Sequence, residues 1–244
     1  MRFEGKVAVV TGSGQGIGKS IALAFAAEGA KVVTNNRAKG TKGGDAATTA
    51  SEIKAAGGLA VPFFGSVSDY NDSQKLVKTA VDHFGKIDIL VNNAGIGIMK
   101  PVDQLTPAEW DATIRTNLSG VFYCCHEAIP FMRKRGGGYI FNISSLAGVN
   151  PFAGGSAYNA SKFGVNGFSE AMMQDVRYDG IRVSYIMPGS VDTDFGGVPG
   201  NRSRAGWKLS GEDIAKAVVD LYAYPPTTLA SRIELRPSQP PRKK

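Results

Sequence analysis

Tyr158 and Lys162 stand four positions apart in the run Tyr158-Asn159-Ala160-Ser161-Lys162. On a helix, side chains at i and i+4 share a face, so this spacing sets an ammonium one turn from a phenol. An ordinary phenol, with a pKa of ~10, holds its proton too firmly to be a base at neutral pH. A neighbouring positive charge favours the phenolate, which makes the pair a candidate proton donor and acceptor. The spacing alone is weak. With 8 Tyr and 28 Lys+Arg in 244 residues, chance supplies roughly one Tyr-x-x-x-[Lys/Arg]. Tyr178 and Arg182 form another such pair with nothing to support it.

A second feature is the run Thr11-Gly12-Ser13-Gly14-Gln15-Gly16-Ile17-Gly18, which follows the apolar stretch Val7 to Val10. Glycine lets the backbone turn sharply and come close to a ligand. The segment after it puts Ile17, Ile21, Ala24 and Phe25 on one inward face and stops at Gly29, as a helix would. A helix N-terminus offers unpaired N–H groups and a partial positive charge to a phosphate. Any tight turn uses glycine. Strand, glycines, helix and second strand within about 30 residues is the stronger pattern, that of a dinucleotide pyrophosphate site.

These groups need a scaffold, and the chain supplies alternating elements. Strand-like runs cover Val7 to Val10, Val32 to Thr34, Leu59 to Phe63, Ile87 to Val91, Tyr139 to Ile143, Arg182 to Met187 and Ser231 to Leu235. Several are continuously apolar, as strands buried on both faces are. Helical patterns lie between them. Leu76, Val77, Ala80, Val81 and Phe84 make an apolar face that ends at Gly85. Thr106 and Glu109 flank Pro107 as a capping box, and Ser210-Gly211-Glu212-Asp213 reads as another helix start. Ser161, Val165, Phe168, Met172 and Val176 share one helix face. Alternation of this kind predicts an α/β fold, a seven-stranded, mostly parallel sheet with helices on both faces. No repeat or linker divides residues 1–244, so one domain is expected. Residues 189–210 read as a mobile substrate loop and 238–244 as a flexible basic tail.

Composition narrows the function. Apolar residues are 43% and charged residues 20%, which excludes a disordered or collagenous chain. Two cysteines exclude a disulfide scaffold. No apolar run reaches the ~18 residues of a membrane span, and Met1 to Gly5 lead straight into a strand, so a cytoplasmic protein is expected. The net charge is +7 but mostly scattered, and no base-reading motif accompanies it, so no nucleic-acid partner is expected. Cys124 and Cys125 read as buried small hydrophobes and His83 as a solvated side chain. His126 beside the cysteines has no ligand-set spacing, so no metal is expected.

From Lys6 to about Thr193 the chain resembles the short-chain dehydrogenase/reductase family. The likeness rests on Gly12-x-x-x-Gly16-x-Gly18 after Thr11, on Asn92-Asn93-Ala94-Gly95, and on Ser145 and Asn117 ahead of Tyr158-x-x-x-Lys162. It implies a Rossmann-type fold and an enzyme that interconverts a secondary alcohol and a ketone or aldehyde by hydride transfer. In that reading Tyr158 is the acid or base. Lys162 lowers its pKa and holds the nicotinamide ribose, Ser145 hydrogen-bonds the substrate oxygen, and Asn117 shapes its helix and holds a water linking Lys162 to solvent. Cofactor contacts would come from Gly12, Ser13, Gln15, Gly16, Ile17 and Gly18, from Asn93, Ala94 and Gly95, and from Tyr158 and Lys162 themselves. Ser66-Val67 would border the adenine where relatives often carry Asp-Val. Pro188, Gly189, Val191 and Thr193 would lie on the nicotinamide side.

The end of the second strand selects the cofactor. An acidic side chain there accepts hydrogen bonds from the ribose 2′-OH of NAD, while a basic one accommodates the 2′-phosphate of NADP. Asn36 stands where NAD-preferring members of the family carry Asp, and Arg37 follows, with Lys39 and Lys42 nearby. A guanidinium fork suits a phosphate, so NADP(H) is expected, with NAD(H) the alternative if Arg37 is merely solvated. Leu146, Phe152, Phe195 and Trp207 suggest an apolar carbonyl substrate, aliphatic, aromatic or acyl-chain. A 3-oxoacyl-thioester reductase acting on acyl carrier protein or CoA is one alternative. The ending Ile233-Glu234-Leu235-Arg236-Pro237 and its basic tail depart from the glycine-rich ending of such reductases. A noncatalytic NADP-binding regulator is an alternative of another class; Asn117, Ser145, Tyr158 and Lys162 count against it. Gly164 and Gly167 would allow close packing against a second subunit, and the resemblance implies a homodimer or homotetramer.

Overall fold

The computed structural model describes residues 1–41, 43–193, 195 and 206–241. Lys42, residues 194 and 196–205 of the expected substrate loop, and the last three residues of the basic tail lie outside them. In chain order the elements are β1 (Val7–Val10), α1 (Gly16–Ala27), β2 (Lys31–Asn36), α2 (Ala46–Ala55), β3 (Leu59–Phe64) and α3 (Tyr70–Phe84). There follow β4 (Ile89–Asn92), α4 (Pro107–Ile114), α5 (Gly120–Lys134) and β5 (Gly138–Ile143). The last are α6 (Ser156–Val176), β6 (Ile181–Pro188), α7 (Gly211–Tyr222) and β7 (Arg232–Leu235).

The seven strands form one sheet in the order β3-β2-β1-β4-β5-β6-β7. Every pairing is parallel, where a mostly parallel sheet was expected. β1 shows why several strands read as unbroken apolar runs. Ala8 and Val10 point into a core with Ile21 and Phe25 of α1 and Ile214 and Val218 of α7. Val7 and Val9 point the other way, toward Leu76 and Val77 of α3, Ala128 of α5 and Val165 of α6. Both faces are covered, so neither face of the strand can be polar. Pro62 lies in β3, an edge strand, where a missing N–H interrupts no inner ladder. The strand order reverses between β1 and β4, and the crevice at such a reversal, outside the carboxyl ends of the strands, is where open α/β sheets bind ligands.

Helix ends follow their capping chemistry. The Thr106–Glu109 and Ser210–Asp213 capping boxes both form, and Gly85 ends α3 in the left-handed conformation at φ 78°. In α1 the fully buried face is Ile21, Ala22 and Phe25; Ala24, expected inside, is half-buried. Gly164 does not wait for a second chain. A Cβ there would come within 2.7 Å of Leu118 Cδ2, so the glycine serves packing within this chain, while Gly167 has open space around it. Cys124 and Cys125 are both buried and unpaired, as expected, and burial pushes the Cys124 thiol up to about 12.

Candidate active site

The carboxyl ends of the strands open onto one cleft of about 1700 Å³. Its first part is the glycine turn after β1. Gly12 has φ +61°, and a Cβ there would fall 2.9 Å from Ala94 Cα. At Gly14 a Cβ would fall 2.6 Å from Asp45 Cα. Gly16, at φ +55°, faces Thr193 across the cleft, 3.4 Å from where its Cβ would stand. The turn is tied to the end of β4 at the point where strand order reverses. Thr11 Oγ1 accepts from the Asn93 and Ala94 N–H groups, both at 2.9 Å. Asn93 Nδ2 donates to the carbonyls of Thr11 (3.0 Å) and Gly12 (3.1 Å).

Gly12, Gln15, Gly16 and Ile17 line the cleft, as do Asn93, Ala94 and Gly95. Ser13 and Gly18 are not among the lining residues. The Ser13 hydroxyl is fully buried and accepts the Asn35 N–H at 2.9 Å. Gly18 is needed for packing, since a Cβ there would stand 2.4 Å from Asn93 Nδ2. α1 opens with no side-chain cap at Gln15 and no acid in its first turn, which leaves its N–H groups available to an anion. Asn36 lines the cleft at the end of β2, and its buried Oδ1 has no hydrogen-bond partner among the described residues. Arg37 is exposed at the rim, with no ion-pair partner among the described residues. Lys39 turns away, its ammonium 5.4 Å from the Phe64 ring centre, and Lys19, at the same rim, pairs with Glu52 at 2.7 Å. An uncapped helix start and a turn only glycine can fill are features a dinucleotide would complete. Ser66 and Val67 line the cleft beyond β3, and Pro188, Gly189, Val191 and Thr193 line it beyond β6.

Its other end is built on β5 and α6. Ser145 follows β5 and opens a short 3₁₀ turn, Leu146–Gly148, by accepting the Ala147 N–H at 3.1 Å. Tyr158 lies in the first turn of α6 and Lys162 one turn on, both facing the cleft. Lys162 Nζ donates to the Ile143 carbonyl at 2.9 Å and stands 5.8 Å from the Tyr158 ring centre. The spacing therefore does bring phenol and ammonium together. Their titration differs from expectation. Burial pushes the Tyr158 phenol above its usual value, opposed by the Ser145 hydroxyl beside it. Burial also lowers Lys162 to about 8. In so dry a position each group is driven toward its neutral form, and desolvation outweighs the attraction the sequence led us to expect.

Asn117 does not line the cleft. It sits buried in a π-helical turn, Arg115–Ser119, between α4 and α5. Its Nδ2 donates to the Ile96 carbonyl (2.9 Å) and Ser161 Oγ (3.1 Å), and its Oδ1 accepts the Ile96 N–H at 2.8 Å. It thus clamps the strand of chain past Gly95 to the helix that carries Tyr158. Ile96, Met99, Asp111 and Arg115 also line the cleft. No periodicity marks them in the sequence, because they come from a loop and one turn of an exposed helix.

A doubly wound parallel sheet, with one cleft joining a phosphate-type glycine turn to a buried Tyr-Lys pair, defines a dinucleotide-dependent oxidoreductase acting between CH–OH and C=O. Comparison with known proteins gives the family. Residues 6–199 match the short chain dehydrogenase family, and the chain belongs to it. A 3-oxoacyl-[acyl-carrier-protein] reductase of Synechocystis sp. is 40% identical over 190 residues, covering 78% of this chain and 76% of that protein. A sepiapterin reductase of Chlorobaculum tepidum is 34% identical over 240 residues, 95% of this chain and 96% of the relative. Among solved structures, a metagenomic short-chain oxidoreductase in complex with NADP superposes with a TM-score of 0.85 at 34% identity, covering 98% of this chain and all of the other. Among the described residues no group of His, Cys, Asp and Glu could hold a metal, and no helix is long and apolar enough to cross a membrane.

Proposed function

We propose that this chain interconverts a secondary alcohol and a ketone or aldehyde with NADP(H), and that Ser145, Tyr158 and Lys162 form its catalytic set, with Asn117 as their positioning residue. The observation that carries this is the cleft itself: the glycine turn and Arg37 at one end, Tyr158 and Lys162 at the other. The bound nicotinamide supplies or accepts the hydride. Tyr158 gives its proton to the developing alkoxide in reduction and takes one in oxidation. A phenol held protonated by burial suits the first role. Lys162, near 8, can lose and regain a proton close to neutral pH, so it restores the proton that Tyr158 gives up. Ser145 accepts the Ala147 N–H, and its hydroxyl stands beside the Tyr158 oxygen, where a substrate carbonyl placed between the two takes over that O–H. Asn117 acts by position, through Ile96 and Ser161.

Arg37 supports NADP(H) over NAD(H), and the NADP complex of the similar metagenomic enzyme points the same way. An uncharged amide at Asn36 leaves room for a 2′-phosphate that a carboxylate would repel. The 3-oxoacyl-thioester reading remains the second one, favoured by the Synechocystis relative. A panel of aldehydes, ketones, diketones and 3-oxoacyl thioesters separates the two. Tyr158→Phe is expected to abolish turnover on every member of the panel while NADPH binding, measured by fluorescence, stays nearly unchanged; substantial turnover would refute the role of Tyr158. Arg37→Ala is expected to lower the NADP/NAD ratio of kcat/KM by roughly tenfold or more, as loss of a charge-assisted pair implies. An unchanged ratio would refute the cofactor assignment.

We further propose a cytoplasmic protein, in keeping with its two unpaired cysteines, that assembles as a homodimer or homotetramer through the outer faces of α5 and α6.

A further inference from the structure

Phe195 lies against Tyr158 at the substrate end of the cleft, ring centres 5.7 Å apart and planes tilted by 52°. The fit depends on Gly97. A Cβ there would come within 2.7 Å of Phe195 Cε1, and Met99 Cε lies 3.2 Å from the same point. Phe195, Met99 and Ile96 all line the cleft. Phe195 keeps 47% of its surface exposed, so its contacts with Tyr158 and Gly97 leave part of the ring open. An aromatic surface next to a proton-donating phenol is not neutral toward what lies on it. Rings prefer offset or edge-on pairing with other rings, and this adds to affinity beyond the area buried. A saturated group of equal size gains the area alone.

We propose that Phe195 determines specificity, selecting substrates whose carbonyl carries a planar aromatic ring. This rests on the proton-transfer role of Tyr158 proposed above. Gly97 is its positioning residue, because only a bare backbone there lets the Phe195 ring reach Tyr158.

The test pairs two ketones of similar size, acetophenone and cyclohexyl methyl ketone, with NADPH and either the wild type or Phe195→Leu, which keeps an apolar side chain without a ring. Mutant-to-wild-type ratios cancel the different reactivities of the two ketones. KM for acetophenone is expected to rise roughly threefold to tenfold while KM for the cyclohexyl ketone stays within about twofold and kcat changes little for either. Gly97→Ala is expected to reproduce the pattern, since its new methyl displaces the ring. Equal losses on both ketones would reduce Phe195 to a plain apolar wall, and equal gains would make it a plug; either overturns the proposal. Calorimetric binding of 1-phenylethanol against 1-cyclohexylethanol, with NADP⁺ present, makes the same comparison without turnover. Absence of turnover would then count against the reaction, whereas an unselective effect of Phe195→Leu on alcohol binding would count against the aromatic preference.

Discussion

Lys162 is 5% exposed, and the one hydrogen-bond partner of its ammonium among the described residues, the Ile143 carbonyl, is neutral. With no carboxylate to offset desolvation, its pKa falls from 10.5 to about 8. Below that value the folded protein carries a buried ammonium whose cost is about 3 kcal/mol, taking 1.36 kcal/mol per pKa unit. The unfolded chain keeps the same lysine protonated until its ordinary 10.5. Between about 8 and 10.5 the unfolded state therefore holds more protons, and stability from this group rises with pH. Tyr158 works oppositely above its ordinary 10.0: its raised pKa keeps the folded phenol protonated while the unfolded one ionises, so stability falls there. Calorimetry from pH 7 to 10 is expected to give a Tm contribution that climbs through 8 to 10 in the wild type and is flattened in Lys162→Met. An identical slope in the two proteins would mean the ammonium is not held dry. The same burial explains what sequence spacing could not foresee. Four positions on a helix establish that phenol and ammonium are neighbours; they carry no information about how much water the neighbours share, and that decides which way each pKa moves.

Elements were legible to the degree that one periodicity ruled them. β1 and β4 could be read because burial on both faces makes them nearly continuous apolar runs, and α4 and α7 could be read from capping residues that must pair locally. Ends were harder. Ile87 is fully buried, yet β4 begins at Ile89, because Asp88 is held by its backbone and side chain to Val7 and the ladder takes its register only after that. The glycine turn was legible as a phosphate site, but its members divide by job in a way no pattern displays. Gly16 faces the cleft, while Ser13 and Gly18 brace the turn from behind. The π-helical turn at Arg115–Ser119 left no mark in the sequence, since a one-residue slip in the backbone ladder requires no particular side chain. Asn117 therefore entered only through the family likeness, and its bond to Ile96, which holds one wall of the cleft, became visible only once the two segments were placed together.

At the scale of the molecule, both faces of the sheet are already covered, so large apolar groups still outside need another explanation. Phe122 on α5 and Phe163 on α6 are each 46% exposed. Phe122 meets Phe168 of α6 edge-on at 6.2 Å and His126 of its own helix at 5.6 Å, so an aromatic cluster spans the two helices. Gly167 on α6 has nothing within 4 Å, which leaves backbone open to close approach beside these rings. A monomer gains nothing from such a surface, and a contiguous exposed apolar patch is the usual mark of an interaction site. A second copy is the occupant we propose, because a closed symmetric pair would bury the same patch on both subunits. The wild type is expected to show by light scattering a mass two or four times the 25.7 kDa of the chain. Phe122→Glu combined with Phe163→Glu is expected to bring it down to that single-chain value, because two carboxylates facing two others across the axis would be desolvated without partners. A wild type already at 25.7 kDa would dismiss the assembly altogether, and a double variant that keeps the larger mass would move the interface to another face.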